Sequence, residues 1–231
     1  MVSIIESNLN RVREAISAAV EKNGRKEGEV RLVAVSKTYP VENILEAVRC
    51  GVSSVGENRA QELVEKRRLW PENVPLEWRF IGHLQGNKVR KVIEHASTVD
   101  SVDSLPLARS LSRAAGEKGI SLPVLIEVNT SGETSKHGVS RSGATSLLEG
   151  ILDGCPFLKV EGLMTIGPLT EDESEVRKAF ASLRSLRDDL GGRFAFPLKE
   201  LSMGMSGDFE WAVAEGSTMV RIGSAIFGTR S

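Results

Sequence analysis

Cysteine is scarce: Cys50 and Cys155 are the only two in 231 residues, far apart and outside any CxxC pair. That argues against a disulfide framework and against a cysteine-based zinc site. The three histidines, His83, His95 and His137, show no metal-ligand spacing along the chain, so no metal is expected. Charge of one sign is missing too. Thirty Lys and Arg against 31 Asp and Glu leave a net charge of -1, which gives no global field toward nucleic acid or an anionic membrane. The clusters Lys66-Arg67-Arg68 and Lys88 with Arg90-Lys91 fall in segments of helical period and read as solvated faces. No run approaches the ~20 apolar residues of a membrane span. The opening MVSIIESNLNRVREAI carries acid, Asn and Arg where a signal peptide would have an apolar core. These absences point to a reduced, soluble, cytoplasmic protein with no nucleic-acid and no membrane partner.

What is present is alternation. Ile5, Leu9, Val12, Ile16 and Val20 step by three and four and predict one amphipathic N-terminal helix. Strand-like runs follow at 31–37, 52–58, 77–83, 97–103, 122–129, 159–166, 200–206 and 218–228. Segments of helical period lie between them, near 41–50, 59–68, 86–95, 104–118, 140–152 and 171–190. Alternating strands and helices imply parallel strands joined by right-handed crossovers. An open doubly wound sheet and a closed barrel both fit. Eight units without a linker favour one α/β domain over 1–231: a (β/α)8 TIM barrel with an extra N-terminal helix. Several strands end on a polar residue (Lys37, Glu57-Asn58, His83, Asp103, Asn129, Ser206), and in a barrel those ends form the face where sites are built.

Two loops carry the chemistry. LSMGMSGD, 201–208, ends the seventh strand run and offers Gly204, Ser206, Gly207 and Asp208; VRIGSAIFG, 220–228, ends the eighth with Gly223 and Ser224. Each alone is also an ordinary strand–turn–helix connection with a capping residue. Together they occupy the two strand ends where barrels frequently bind phosphate. In a barrel the first and eighth strands are neighbours, which sets Lys37 beside that phosphate site, near Arg221 and Ser224. A lysine partly out of water beside a cation is expected to have a depressed pKa and to be a usable nucleophile. An amine next to a phosphate cradle suggests a Schiff base to a phosphorylated aldehyde, with pyridoxal 5'-phosphate (PLP) the first candidate and a sugar phosphate the more distant one.

The motifs AVSKTYP, GENRAQE, FIGHLQGNK, VNTSGETSKHG, GLMTIGP, LSMGMSGD and VRIGSAIFG, in this order, resemble the pyridoxal-phosphate homeostasis protein family, which is similar to the N-terminal domain of alanine racemase. The resemblance covers about residues 5–230. It implies a single barrel holding PLP covalently on Lys37, with Ser206 and Gly207, then Gly223 and Ser224, on the phosphate. It implies that Arg221 faces the pyridine nitrogen and that Asn58 lies near the ring. It gives no role to His83, Gln85, Asn87, Lys136 or His137.

A cation facing the ring nitrogen disfavours its protonation and leaves the ring a poorer electron sink. Racemisation also needs a second acid/base on the far face of the substrate carbon. In the racemases the resemblance implies a tyrosine from a second domain for this role; here the only tyrosine is Tyr39, on the loop of Lys37 itself, and no such domain or lid is expected. No catalytic residue is therefore expected. The expected function is PLP binding in intracellular PLP homeostasis, by buffering or by delivery to PLP-dependent apoenzymes, from a monomer. The alternative is an amino-acid racemase of weak or narrow activity.

Overall fold

The computed structural model describes residues 2–133 and 135–228. Ser3 caps the first helix, α1 (Ile4–Lys22), by accepting the Glu6 N–H through its side chain. Its buried residues Ile5, Leu9, Val12, Ile16, Ala19 and Val20 form the face anticipated from the spacing. The chain then alternates: β1 (Arg31–Val35), α2 (Val41–Arg49), β2 (Ser54–Glu57), α3 (Ala60–Leu69), β3 (Glu77–Phe80), a 3-10 turn at Gly86–Lys88, α4 (Val89–His95), β4 (Thr98–Val102), α5 (Leu105–Glu117) and β5 (Leu122–Asn129). It continues through a two-residue strand β6 (Val139–Ser140), α6 (Arg141–Gly154), β7 (Leu158–Met164), α7 (Glu173–Phe194), β8 (Glu200–Ser202), α8 (Phe209–Ala214), β9 (Met219–Ile222) and α9 (Ser224–Phe227).

The strands run in the order β4-β3-β2-β1-β9-β8-β7-β5, and β4 pairs with β5 to close the ring. All these pairings are parallel. The result is a closed eight-stranded parallel barrel ringed by helices, with α1 as the extra N-terminal helix. β6 adds onto the end of β5 and lies outside the ring. The strand runs read at 200–206 and 218–228 are longer than the strands found. After β9 the apolar triplet Ala225-Ile226-Phe227 turns into α9, so one hydrophobic run serves two elements.

Two apolar layers sandwich the barrel wall. Ala34, Val55, Phe80, Val124, Ile126, Leu163, Leu201 and Val220 join the helices in one hydrophobic cluster. Val33, Val35, Leu125, Met164 and Met219 are buried but lie outside that cluster; strand alternation turns them into the lumen. The lumen is also charged. Near the strand starts Arg79 forms a bidentate pair with Asp100 (2.8 and 2.9 Å) and reaches Glu77 at 2.8 Å. Burial opposes that charge, but Asp100 and Glu77 hold the Arg79 pKa above its ordinary value. This end is plugged, and the site lies at the other.

Glu127 on β5 is the awkward member. It is buried, and its Oε2 has no hydrogen-bond partner among the described residues. Burial, then the nearby charge of Asp103, push its pKa from 4.5 up to about 7, against the pull of Arg221. An acid whose folded pKa exceeds its unfolded one keeps its proton in the folded state at pH values where the unfolded chain has lost it. Stability from this group is therefore fully present below about 4.5 and is lost as pH rises to about 7. The loss is at most ~3 kcal/mol. Glu127→Gln should flatten this part of the profile and unfold at higher urea than the parent at pH 8. Urea midpoints in EDTA from pH 4.5 to 8 test it, and parallel profiles for the two proteins would refute it.

Candidate functional site

At the C-terminal end of the barrel a cavity of about 620 Å³ is lined by Lys37, Asn58, Ser206, Gly207, Arg221, Gly223 and Ser224. These are the seven residues singled out from the sequence, gathered from the ends of β1, β2, β8 and β9. Val35, Tyr39, Ile81, Gly82, His83, Ile166, Met205 and Gly228 complete the wall. Reasoning from polar strand ends missed the apolar part of this lining. Ile81, Ile166 and Met205 look in sequence like any core residue.

Lys37 sits in a tight turn after β1. Tyr39 N–H donates to Ser36 O at 3.0 Å, and Thr38 takes φ +70°. That is the left-handed region, which costs a β-branched residue about 1–2 kcal/mol. The turn persists because its surroundings brace it. The Thr38 N–H donates to Glu62 Oε2 at 2.8 Å, and Lys66 Nζ donates to Ser36 O at 2.7 Å. Lys66 also pairs with Glu57 Oε1 at 2.6 Å, and Ser36 Oγ donates to the same oxygen at 2.6 Å. The reading of Lys66 as part of a solvated face is thus corrected: it is buried beneath the turn that carries Lys37. The basic run hid it, because Lys66 faces inward where Arg68 lines an outer groove. Tyr39 is engaged as well. Its Oη donates to Gly228 O at 2.6 Å and its ring packs on Phe227 at 4.9 Å.

Arg221 on β9 forms the floor. It is 4% exposed, and its guanidinium donates to Ser202 Oγ at 2.7 Å and to Thr165 O at 2.8 Å. Burial pushes its pKa down; Asp100, Asp208 and Glu127 oppose that shift. The two glycine loops line the adjoining wall. Gly204 takes φ +97°, and an added Cβ would lie 2.6 Å from that of Ala212, so only glycine fits. Asp208 precedes α8 without capping it; its Oδ1 accepts the Met205 N–H at 2.5 Å instead. Among the described residues, no hydrogen bond takes up the backbone N–H groups of Ser206, Gly207, Ser224 and Ala225. Free amides in two loops on one wall are an anion cradle. Opposite, the buried Asn58 Oδ1 also lacks a partner, and a Cβ on Gly82 would come within 2.2 Å of the Asn58 carbonyl.

Of the motif residues left without a role, Lys136 donates to Gly167 O at 2.7 Å and ties the segment after β5 to the one after β7. Gln85 lines a neighbouring groove of about 640 Å³ between α3 and α4, which shares Asn58 and His83 with the cavity. Asn87 falls in the 3-10 turn.

This architecture has relatives. The family model described as the alanine racemase N-terminal domain matches residues 5–231, which makes the chain a barrel of that class. A pyridoxal phosphate homeostasis protein of Aquifex aeolicus is 44% identical over 222 residues, 96% of each chain. The protein of that name from Homo sapiens is 42% identical over 237 residues, covering 96% of this chain and 85% of its own. The structure of PipY from Synechococcus elongatus, solved with PLP bound, superposes with a TM-score of 0.85 at 35% identity, over 97% of this chain and all of PipY. The chain belongs to the pyridoxal phosphate homeostasis protein family.

Removing the brace beneath Lys37 has a measurable cost. Lys66→Met leaves the Glu57 carboxylate, fully buried, without its cation, and loss of one partner of such a pair costs about 3–5 kcal/mol. Adding Glu57→Gln to Lys66→Met should recover part of that loss. Calorimetric unfolding of both variants tests it; an unchanged Tm in Lys66→Met would remove the pair from the account.

Proposed function

We propose that this protein binds PLP through an imine to Lys37 and serves PLP homeostasis, holding and releasing the cofactor without turning a substrate over. The observation that carries this reading is the convergence, on one cavity, of a lysine, a buried guanidinium, the Asn58 side chain and the unpaired backbone amides of Ser206, Gly207 and Ser224. Each meets a part of the cofactor. The Lys37 amine would capture the aldehyde, and the amides of Ser206, Gly207 and Ser224 would donate to the phosphate. Asn58 would face the ring edge. The resemblance to PipY, solved with PLP, and the names of the relatives support the same ligand.

Bound PLP supplies an electrophilic carbonyl and, where its ring nitrogen is protonated, an electron sink. Arg221 withholds the second. A guanidinium only donates hydrogen bonds and so favours the neutral, accepting nitrogen, whereas a carboxylate would favour the protonated one. Tyr39, bound to Gly228 O, is not free to act as a base. These features favour binding over racemisation. We further read the chain as a single PLP-binding domain that acts as a cytoplasmic monomer and passes PLP to apoenzymes. No helix among the described residues is long and apolar enough to cross a membrane, and Cys50 and Cys155 are both free.

The PLP-loaded protein should show near-visible absorbance that borohydride abolishes, with the reduced cofactor mapped to Lys37. It should leave the α-proton of alanine unexchanged in heavy water. Lys37→Ala should lose the band and bind PLP at least about tenfold more weakly. Mapping to another lysine, or proton exchange at high protein loading, would overturn the corresponding part of the reading.

Gly207 separates binding from folding. A Cβ there meets nothing within 4 Å, and its φ lies outside the left-handed region, so Gly207→Ala should leave unfolding unchanged within ~0.5 kcal/mol. It should nonetheless weaken PLP roughly tenfold by crowding the phosphate. Equal PLP affinity in Gly207→Ala and the parent would exclude this loop from the phosphate site.

A further inference from the structure

Three side chains that the PLP contacts leave unused meet at the barrel mouth. His83 follows β3, Asp103 follows β4 directly, and His137 lies between β5 and β6. These strands are neighbours, with β3 paired to β4 and β4 to β5. We infer that His83, Asp103 and His137 form a binding site for a divalent transition-metal cation of the zinc type, with an open coordination position beside the cofactor cavity.

One ligand atom from each of the three lies within 4.8 Å of those of the others. His83 Nδ1 and Asp103 Oδ2 are 3.4 Å apart. Around a tetrahedral zinc ion with bonds of ~2.0–2.1 Å, neighbouring ligand atoms stand about 3.3–3.5 Å apart. One edge of the polyhedron is therefore already formed, and the third ligand needs to close by up to about 1.4 Å. The two imidazoles stack with centroids 4.0 Å apart and planes within 10°. Imidazole nitrogens ligate along lone pairs in the ring plane, so the exposed His137 ring has to turn out of this stack for both nitrogens to meet one ion.

The placement of His137 is fixed from both sides. Lys136 before it donates to Gly167 O at 2.7 Å. Gly138 after it takes φ +106°, and an added Cβ there would lie 2.7 Å from Asn129 N. Charge also favours a cation. His83 is the one ion-pair partner of Asp103 among the described residues. Three protein ligands with a fourth position open is the arrangement of sites that exchange water for a ligand, in contrast to closed structural sites. His83 lines the 620 Å³ cavity as well, so the open position would adjoin whatever occupies it. Spacing along the chain conceals such a site, because each ligand comes from a different strand end.

The test is a Co(II) titration of the untagged full-length protein as purified. One equivalent should bind saturably with visible d–d bands, and Zn(II) should displace it. His137→Ala and Asp103→Asn should each weaken Co(II) at least about tenfold, while His95→Ala leaves it unchanged; circular dichroism confirms that each variant is folded. No saturable binding below ~0.1 mM would overturn the assignment. So would binding undiminished in both variants, or an intense thiolate charge-transfer band pointing to Cys50. Because the readout is metal absorbance, its failure leaves the PLP reading standing.

Discussion

A guanidinium held out of water organises the upper half of the barrel. Arg221 reaches Ser202 at the end of β8 and the Thr165 carbonyl just beyond β7. Thr165 in turn donates to Val128 O on β5 at 2.7 Å and shares a 2.9 Å hydrogen bond with Thr130. Four strand ends thus converge on one cation. A buried charge is costly unless every donor finds an acceptor, so these strands must end where their oxygens meet it. The cavity floor and the strand register are two aspects of one requirement.

The same logic runs through the rest of the lumen. An apolar barrel interior would be easier to stabilise than one containing Arg79, Asp100, Glu77 and Glu127. At the plugged end the charges satisfy one another, with Arg79 bidentate on Asp100. At the open end they do not, and Glu127 and Asn58 keep unpartnered oxygens. Glu57, Arg67 and Trp78 also keep unpartnered polar atoms elsewhere in the barrel wall, so the imbalance is not confined to the open end. The strained Thr38 belongs to the open end, and its backbone conformation serves the direction in which Lys37 leaves the strand.

Much of this was legible in the sequence, for identifiable reasons. Buried parallel strands read as short apolar runs, and the alternation of eight such runs with helices anticipated the closed barrel. The seven candidate residues follow apolar runs or sit in glycine loops, and all seven line one cavity. What escaped was whatever depends on direction or on long-range pairing. Lys66 looked solvated because a neighbouring pair of arginines masked which face it occupies. The run at 218–228 looked like one strand because periodicity cannot separate a four-residue strand from a four-residue helix when both are buried. β6 is too short to leave any periodic trace. The meeting of His83, Asp103 and His137 depends on two crossovers, which no local spacing encodes.

The joint between β1 and β9 bears on how the molecule is made. Lys37 emerges early in synthesis, whereas the amides of Ser206, Gly207 and Ser224 emerge near the end. Further clasps span the same seam: Asn8 Nδ2 donates to Ile226 O at 2.8 Å, and Tyr39 Oη to Gly228 O. A nascent chain on the ribosome therefore displays the Lys37 amine long before it possesses the loops that complete the cavity around it. The cavity exists only after ring closure, and any ligand that bridges the seam stabilises the whole barrel at once.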